Sequence, residues 1–177
     1  MALRAAVVGC GALANSAHLP NLAASDHFEL LVACDRRKAA AAAAAERWGA
    51  KETSQDWHEV IAHPDVDLIV LCTHTNLRAP VITEALRQGK PVYTEKPLAA
   101  TRAESLEILR AARETGVPVC VGHNRRSSPA VLEFRRLIEK ARAEGADRPA
   151  SIDRNTGRRD ALAEEASTQL LLRVNDD

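Results

Sequence analysis

A chain of 177 residues with 46% hydrophobic residues is long enough for one full domain with a buried core and a further segment beside it. Its 24 Lys and Arg residues balance 24 Asp and Glu, and this zero net charge argues against nucleic acid or an anionic membrane as a partner. No apolar run reaches the roughly 20 residues that span a bilayer, and the N-terminus enters a strand-like run at once instead of a signal sequence, so a cytoplasmic location is expected.

The first predicted strand, Arg4-Ala-Ala-Val-Val8, runs directly into Gly9-Cys-Gly11-Ala12-Leu13-Ala14. Each small residue has a physical purpose at a nucleotide-binding turn: Gly9 lets the chain leave the strand sharply, Gly11 has no side chain to obstruct a pyrophosphate, and Ala14 lets the next helix pack closely on the sheet. The N-terminus of that helix offers unpaired N–H groups and partial positive charge to phosphate. A short helical stretch is predicted over His18–Ala24, with Pro20 near its start. The second strand, Phe28–Cys34, carries the continuous apolar run Leu30–Cys34 of a parallel strand buried on both faces. Asp35 closes it, where a carboxylate can accept hydrogen bonds from an adenosine ribose or cap the following helix. Arg36 and Arg37 follow, and an arginine here can pair with a 2'-phosphate. Asp35 would repel that phosphate, so NAD is expected ahead of NADP.

Beyond Asp35, strand and helix signals alternate. The spacing predicts a helix to Trp48, dominated by Ala39–Ala45 and ended by Gly49, then a brief strand near Lys51–Thr53 and a helix over Asp56–Ala62. Val66–Cys72 reads as a buried strand, followed by a helix capped by Thr75 or Asn76 and running to Gln88 and Gly89. Pro91–Thr94 is the next strand. Thr101-x-x-Glu104 is a capping box opening a helix to Thr115, with Gly116 after it. Val117–Val121 is the last clear strand, and Ser128-Pro129 opens a helix to Glu144.

The four cysteines, Cys10, Cys34, Cys72 and Cys120, lie far apart and in or beside strand-like runs, which fits buried thiols in a reducing compartment rather than zinc ligands or disulfides. His58 and His63 are five residues apart and do not share a helical face, so no metal site is expected.

This alternation implies an α/β fold with a doubly wound parallel sheet covered by helices on both faces. Ligands of such a sheet bind beyond the carboxyl ends of the strands. That rule selects Gly9–Ala12, Asp35, Thr73–Asn76, Glu95-Lys96-Pro97 and Gly122-His123-Asn124.

Within that set, Gly89-Lys-Pro-Val-Tyr-Thr-Glu95-Lys96-Pro97 is the most specific stretch. Together with the Gly9 turn, Asp35 and Val121-Gly-His-Asn-Arg-Arg126, it resembles the Gfo/Idh/MocA oxidoreductases (glucose-fructose oxidoreductase and inositol dehydrogenase relatives) over about residues 3 to 143. The resemblance implies a Rossmann-type NAD(P)-dependent dehydrogenase moving hydride between nicotinamide and a sugar, polyol or inositol-like hydroxyl. It implies a carbohydrate-like small-molecule substrate, and oligomer formation only in a full-length form. It also implies that Lys96 orients the substrate carbinol oxygen, that Glu95 positions Lys96, and that Lys96-Pro97 is cis. Cofactor contacts are expected at Gly9, Gly11, Ala12, Leu13, Ala14, Asp35, Arg36, Thr73, Asn76, Glu95, Lys96 and His123. His123 and His18 lie near that edge, and either can equally be a packing residue. The chain departs from the family pattern after the fourth strand, where Thr73 is followed by His74 and Arg78 stands where a histidine is usual.

These readings divide the chain into a dinucleotide-binding domain (1–125), a connecting helix (126–144), a polar linker or loop (145–169), and a truncated first strand of a substrate domain (170–177). The family's principal acid/base histidine belongs to that second domain, so this chain is expected to be inactive alone. A non-catalytic dinucleotide-binding regulatory or sensor module is the alternative. Retention of Glu95-Lys96-Pro97 favours the dehydrogenase.

Overall fold

A computed structural model describes residues 2–143 and 145. It divides into two units with the boundary between Gly122 and His123; the expected linker and terminal strand lie outside the described residues, apart from Gly145.

Six strands form one parallel sheet in the first unit: β1 (Leu3–Val8), β2 (Phe28–Cys34), β3 (Glu52–Ser54), β4 (Leu68–Leu71), β5 (Val92–Glu95) and β6 (Val119–Gly122). Their order, β3-β2-β1-β4-β5-β6, places the chain reversal between β1 and β4, the point at which a doubly wound sheet opens a crevice. The apolar runs read from the sequence explain the two cores. Ala5, Val7 and Val70 point to one face, under Leu19 and Leu22 of α1 (Leu19–Ala23) and Ala44 of α2 (Lys38–Trp48). Ala6, Val8, Ile69, Leu71 and Val92 point to the other, against α3 (Trp57–Ala62), α4 (Arg78–Arg87) and α5 (Arg102–Thr115). The alanine run of α2 buries only Ala41 and Ala44, which lets that helix lie close to the sheet.

Local signals set most boundaries. Asp56 accepts from His58 N–H and caps α3. Thr101 and Glu104 form the reciprocal capping box of α5, and Gly116 ends it in the left-handed conformation. Two expectations are corrected. Neither Thr75 nor Asn76 caps α4 with its side chain: Thr75–Leu77 form a 3-10 turn and α4 starts at Arg78. The first helix does not wait for His18. Helical backbone begins at residue 12, passes through a π-helical turn, Ala14–His18, and continues as α1. Pro20 has no N–H for the Ser16 carbonyl, and the wide turn closed by Leu19 N–H onto Ala14 O carries the chain past it.

The second unit opens at His123, with a 3-10 turn over Asn124–Ser127 and then α6 (Pro129–Ala143). Ser128 Oγ accepts from Val131 N–H at the start of α6. No helix of the described residues is long and apolar enough to cross a membrane.

Candidate dinucleotide site

The carboxyl ends of β1, β2, β4 and β5 converge around the Gly9 turn. Gly9 N–H donates to Cys34 O at 2.8 Å, which ties the turn to the end of β2. Its φ is +97°, and a Cβ built there would stand 2.9 Å from the Cys72 carbonyl carbon and 3.1 Å from Thr73 N. Both the backbone conformation and the close crossing over the end of β4 therefore require glycine. At Gly11 the situation is the reverse: a Cβ would meet nothing within 4 Å. That open side faces no protein atom, as a phosphate approach needs. Ala14 is fully buried and supplies the close helix-to-sheet contact expected of it, whereas Ala12 and Leu13 are exposed beside the turn.

Asp35 is held from two directions. Its Oδ2 accepts from Cys10 N–H at 3.0 Å, and its Oδ1 accepts from Arg37 N–H at 2.9 Å and from Arg37 Nε at 3.2 Å. Burial pushes the carboxyl up, but the Arg37 side chain and the Arg37 and Cys10 amides outweigh it and hold Asp35 below the usual carboxylate range. The carboxylate is thus charged and fixed at the strand end. Arg37, not Arg36, is the guanidinium on this carboxylate; Arg36 is exposed and its carbonyl accepts from Gln55. The sequence reading singles out Arg36 as the cofactor contact, whereas which arginine folds back onto Asp35 depends on the turn into α2.

On the far side of the crevice, Thr73 Oγ1 is buried and has no hydrogen-bond partner. An orphaned hydroxyl costs free energy unless a ligand or water satisfies it, and this one lies on the residue that Gly9 crosses. Asn76 is exposed on the 3-10 turn that follows.

Glu95 ends β5, and only 4% of its surface is exposed. Its Oε1 lies 2.9 Å from His18 Nε2, and its Oε2 accepts from Lys96 N–H at 3.3 Å. Lys96 is exposed and its bond to Pro97 is cis. The His18 and Tyr93 rings lie 5.4 Å apart, and Gly122 leaves room for Tyr93: a Cβ at Gly122 would stand 2.5 Å from its hydroxyl and 3.1 Å from Glu95 Oε1. Sequence reasoning left His18 undecided between contact and packing. Its role as a partner of Glu95, 77 residues away, emerges from the π-helical turn that ends at it. His123 belongs to the second unit and begins it directly after β6.

The residues fit a dinucleotide on this geometry: an open side at Gly11, a fixed carboxylate at the end of β2, and an unsatisfied hydroxyl at the end of β4. Residues 3–123 match the Gfo/Idh/MocA family model, described as an oxidoreductase family with an NAD-binding Rossmann fold. The chain belongs to this family. As a member it has an NAD-binding Rossmann domain, and its relatives include sugar and inositol dehydrogenases. It is 35% identical over 128 residues to a 4-carboxy-2-hydroxymuconate-6-semialdehyde dehydrogenase from Sphingobium sp., covering 72% of this chain and 40% of that protein. It is 33% identical over 138 residues to scyllo-inositol 2-dehydrogenase (NAD(+)) from Bacillus subtilis, covering 77% and 40%. Among solved structures it resembles the WlbA dehydrogenase of Chromobacterium violaceum, in complex with NADH and UDP-GlcNAcA. The TM-score is 0.75 at 32% identity, over 80% of this chain and 41% of that one. The chain therefore spans about 40% of the length of the curated relatives it matches.

Proposed function

We propose that this family member is the cofactor-binding part of an NAD(P)-dependent dehydrogenase acting on a sugar, polyol or inositol-like hydroxyl. NAD is the expected cofactor and NADP the alternative. The observation that carries the reading is the juxtaposition of the open Gly11 turn and the fixed Asp35 carboxylate with Glu95 and Lys96 at one sheet edge. Gly9–Ala14 would hold the pyrophosphate, Asp35 would accept from the ribose, and Thr73 and Asn76 would serve the nicotinamide side. The bound nicotinamide supplies the hydride acceptor. Lys96 would hold the substrate hydroxyl with an ammonium donor and steady its oxygen as its proton passes to the acid/base histidine that the family carries in its second domain, while Glu95 fixes the backbone N–H of Lys96. Relatives that this chain covers to about 40% support a division in which the 177-residue chain binds cofactor with negligible turnover. The free cysteines, of which Cys10 and Cys34 are buried, and the neutral charge support a cytoplasmic setting and a small-molecule partner.

The test is titration with NADH and NADPH, followed by thermal unfolding. Ligand at 100 times Kd adds about 2.7 kcal/mol, or roughly 5–10 °C for a chain of this size. NADH should raise the midpoint saturably, and Lys96→Ala should leave that rise intact. In an active longer form, Lys96→Ala should slow turnover without changing NADH affinity. No shift with either cofactor refutes the reading; robust turnover by the 177-residue chain refutes the division of labour.

A further inference from the structure

Arg78 is neither a surface charge nor directed at solvent. It is 6% exposed at the first position of α4, among Ala79, Val81 and Ile82 of the core. Burial pushes its guanidinium below the usual arginine range, and the nearby Glu95 charge opposes that shift. The guanidinium reaches three backbone carbonyls. Nε and Nη2 donate to Thr73 O at 3.2 and 3.0 Å, and Nη1 donates to Glu95 O at 2.7 Å and also to Pro97 O. Glu95 and Pro97 are the two neighbours of Lys96. One buried cation thus grips the backbone on both sides of that lysine and ties it to the end of β4.

From this geometry we infer that Arg78 is the positioning residue for Lys96. A planar fork with five donors can bind three carbonyls on two strand ends in one fixed geometry, whereas an ammonium is a single point on a flexible stem and an imidazole has at most two donors, and the fork's rigidity fixes the separation of those ends. Lys96 is exposed, and the hydrogen bond that anchors it runs from its backbone N–H. Its placement therefore comes from the backbone under it, through Arg78 and through the Lys96 N–H bond to Glu95. Thr73 is held by the same guanidinium, so the crevice wall with the orphaned hydroxyl and the lysine loop are set by one side chain. The inference rests on the proposed role of Lys96 only for its catalytic consequence.

Amide hydrogen exchange of the 177-residue chain tests the grip itself. In Arg78→Lys, which keeps the charge but loses the fork, segments containing residues 73–76 and 94–98 should exchange at least tenfold faster, while β1 and β2 keep their protection. Arg78→Met should show a larger effect; if it fails to fold, the lysine variant still decides. Parent-like exchange in those segments, or a uniform loss across the sheet, overturns the inference. The functional arm is a double-mutant cycle in an active longer form. Arg78→Lys should lower kcat about tenfold, and should cost no further kcat in a Lys96→Ala background, because Arg78 acts on turnover through that lysine. Additive losses overturn the positioning role. If Lys96→Ala alone has no effect, the proposed chemistry fails while the exchange result still judges the grip.

Discussion

The two glycines of the nucleotide turn separate stability from binding. Gly9 has a φ of +97°, and an added Cβ would be pressed to 2.9 Å from the Cys72 carbonyl carbon, a backbone atom that cannot swing away as a side chain would. The left-handed backbone costs an alanine about 1–2 kcal/mol and the overpacking about 1–3 kcal/mol, so Gly9→Ala should lose roughly 2–5 kcal/mol. That is a large share of the roughly 5–15 kcal/mol available to a domain, and it lowers the melting midpoint by roughly 4–20 °C. Gly11 has open space around its missing Cβ. Gly11→Val should therefore stay within about 0.5 kcal/mol of the parent in urea unfolding. Its isopropyl group would fill the phosphate approach, so NADH affinity should fall at least tenfold, about 1.4 kcal/mol. Urea denaturation of both variants, with NADH fluorescence titration of the parent and Gly11→Val, reads all four quantities. A Gly9→Ala protein as stable as the parent would refute the tight crossing over β4. A Gly11→Val protein that binds NADH with parental affinity would refute the assignment of the pyrophosphate to this turn.

Asp35→Ser removes the carboxylate that opposes a 2'-phosphate and releases Arg37 Nε, so the NADH-to-NADPH affinity ratio should move toward NADPH by tenfold or more; a parent that already prefers NADPH sinks the reading of Asp35 as the dominant neighbour. Burial pushes the thiols of Cys10 up to about 11 and those of Cys34 and Cys72 up to about 12, which leaves at most about one in a thousand of them as thiolate at pH 8. A thiol reagent should therefore label only the exposed Cys120 rapidly in the native protein, and all four cysteines in denaturant. The slow labelling should accelerate as pH rises toward 11, since the reactive form is then gained. Four thiols reacting at one rate in the native state would contradict this burial.

Signals spanning a few residues were legible in order: the glycine turn, Asp35 at the end of an apolar strand, the capping box at Thr101 and Glu104, and the resemblance carried by Glu95-Lys96-Pro97. Each depends on backbone geometry or on hydrogen bonds between near neighbours, so the residue type and its spacing are enough. The cap expected at Thr75 or Asn76 misled because either residue can cap in isolation, whereas the chain here enters α4 through a 3-10 turn.

What the sequence by itself determined was the parallel α/β architecture, its family and the strand ends where chemistry belongs. Alternating apolar runs and breakers leave few ways to bury both faces of a sheet. Only the tertiary structure decided which polar groups meet at those ends: Arg37 rather than Arg36 on Asp35, His18 on Glu95, and Arg78 on the carbonyls flanking Lys96. The last two join residues 77, 17 and 19 positions apart, through side chains whose direction follows from a π-helical turn and from the first turn of α4. Neither turn has a signature in residue type, because both are settled by how the helices pack once the sheet has formed.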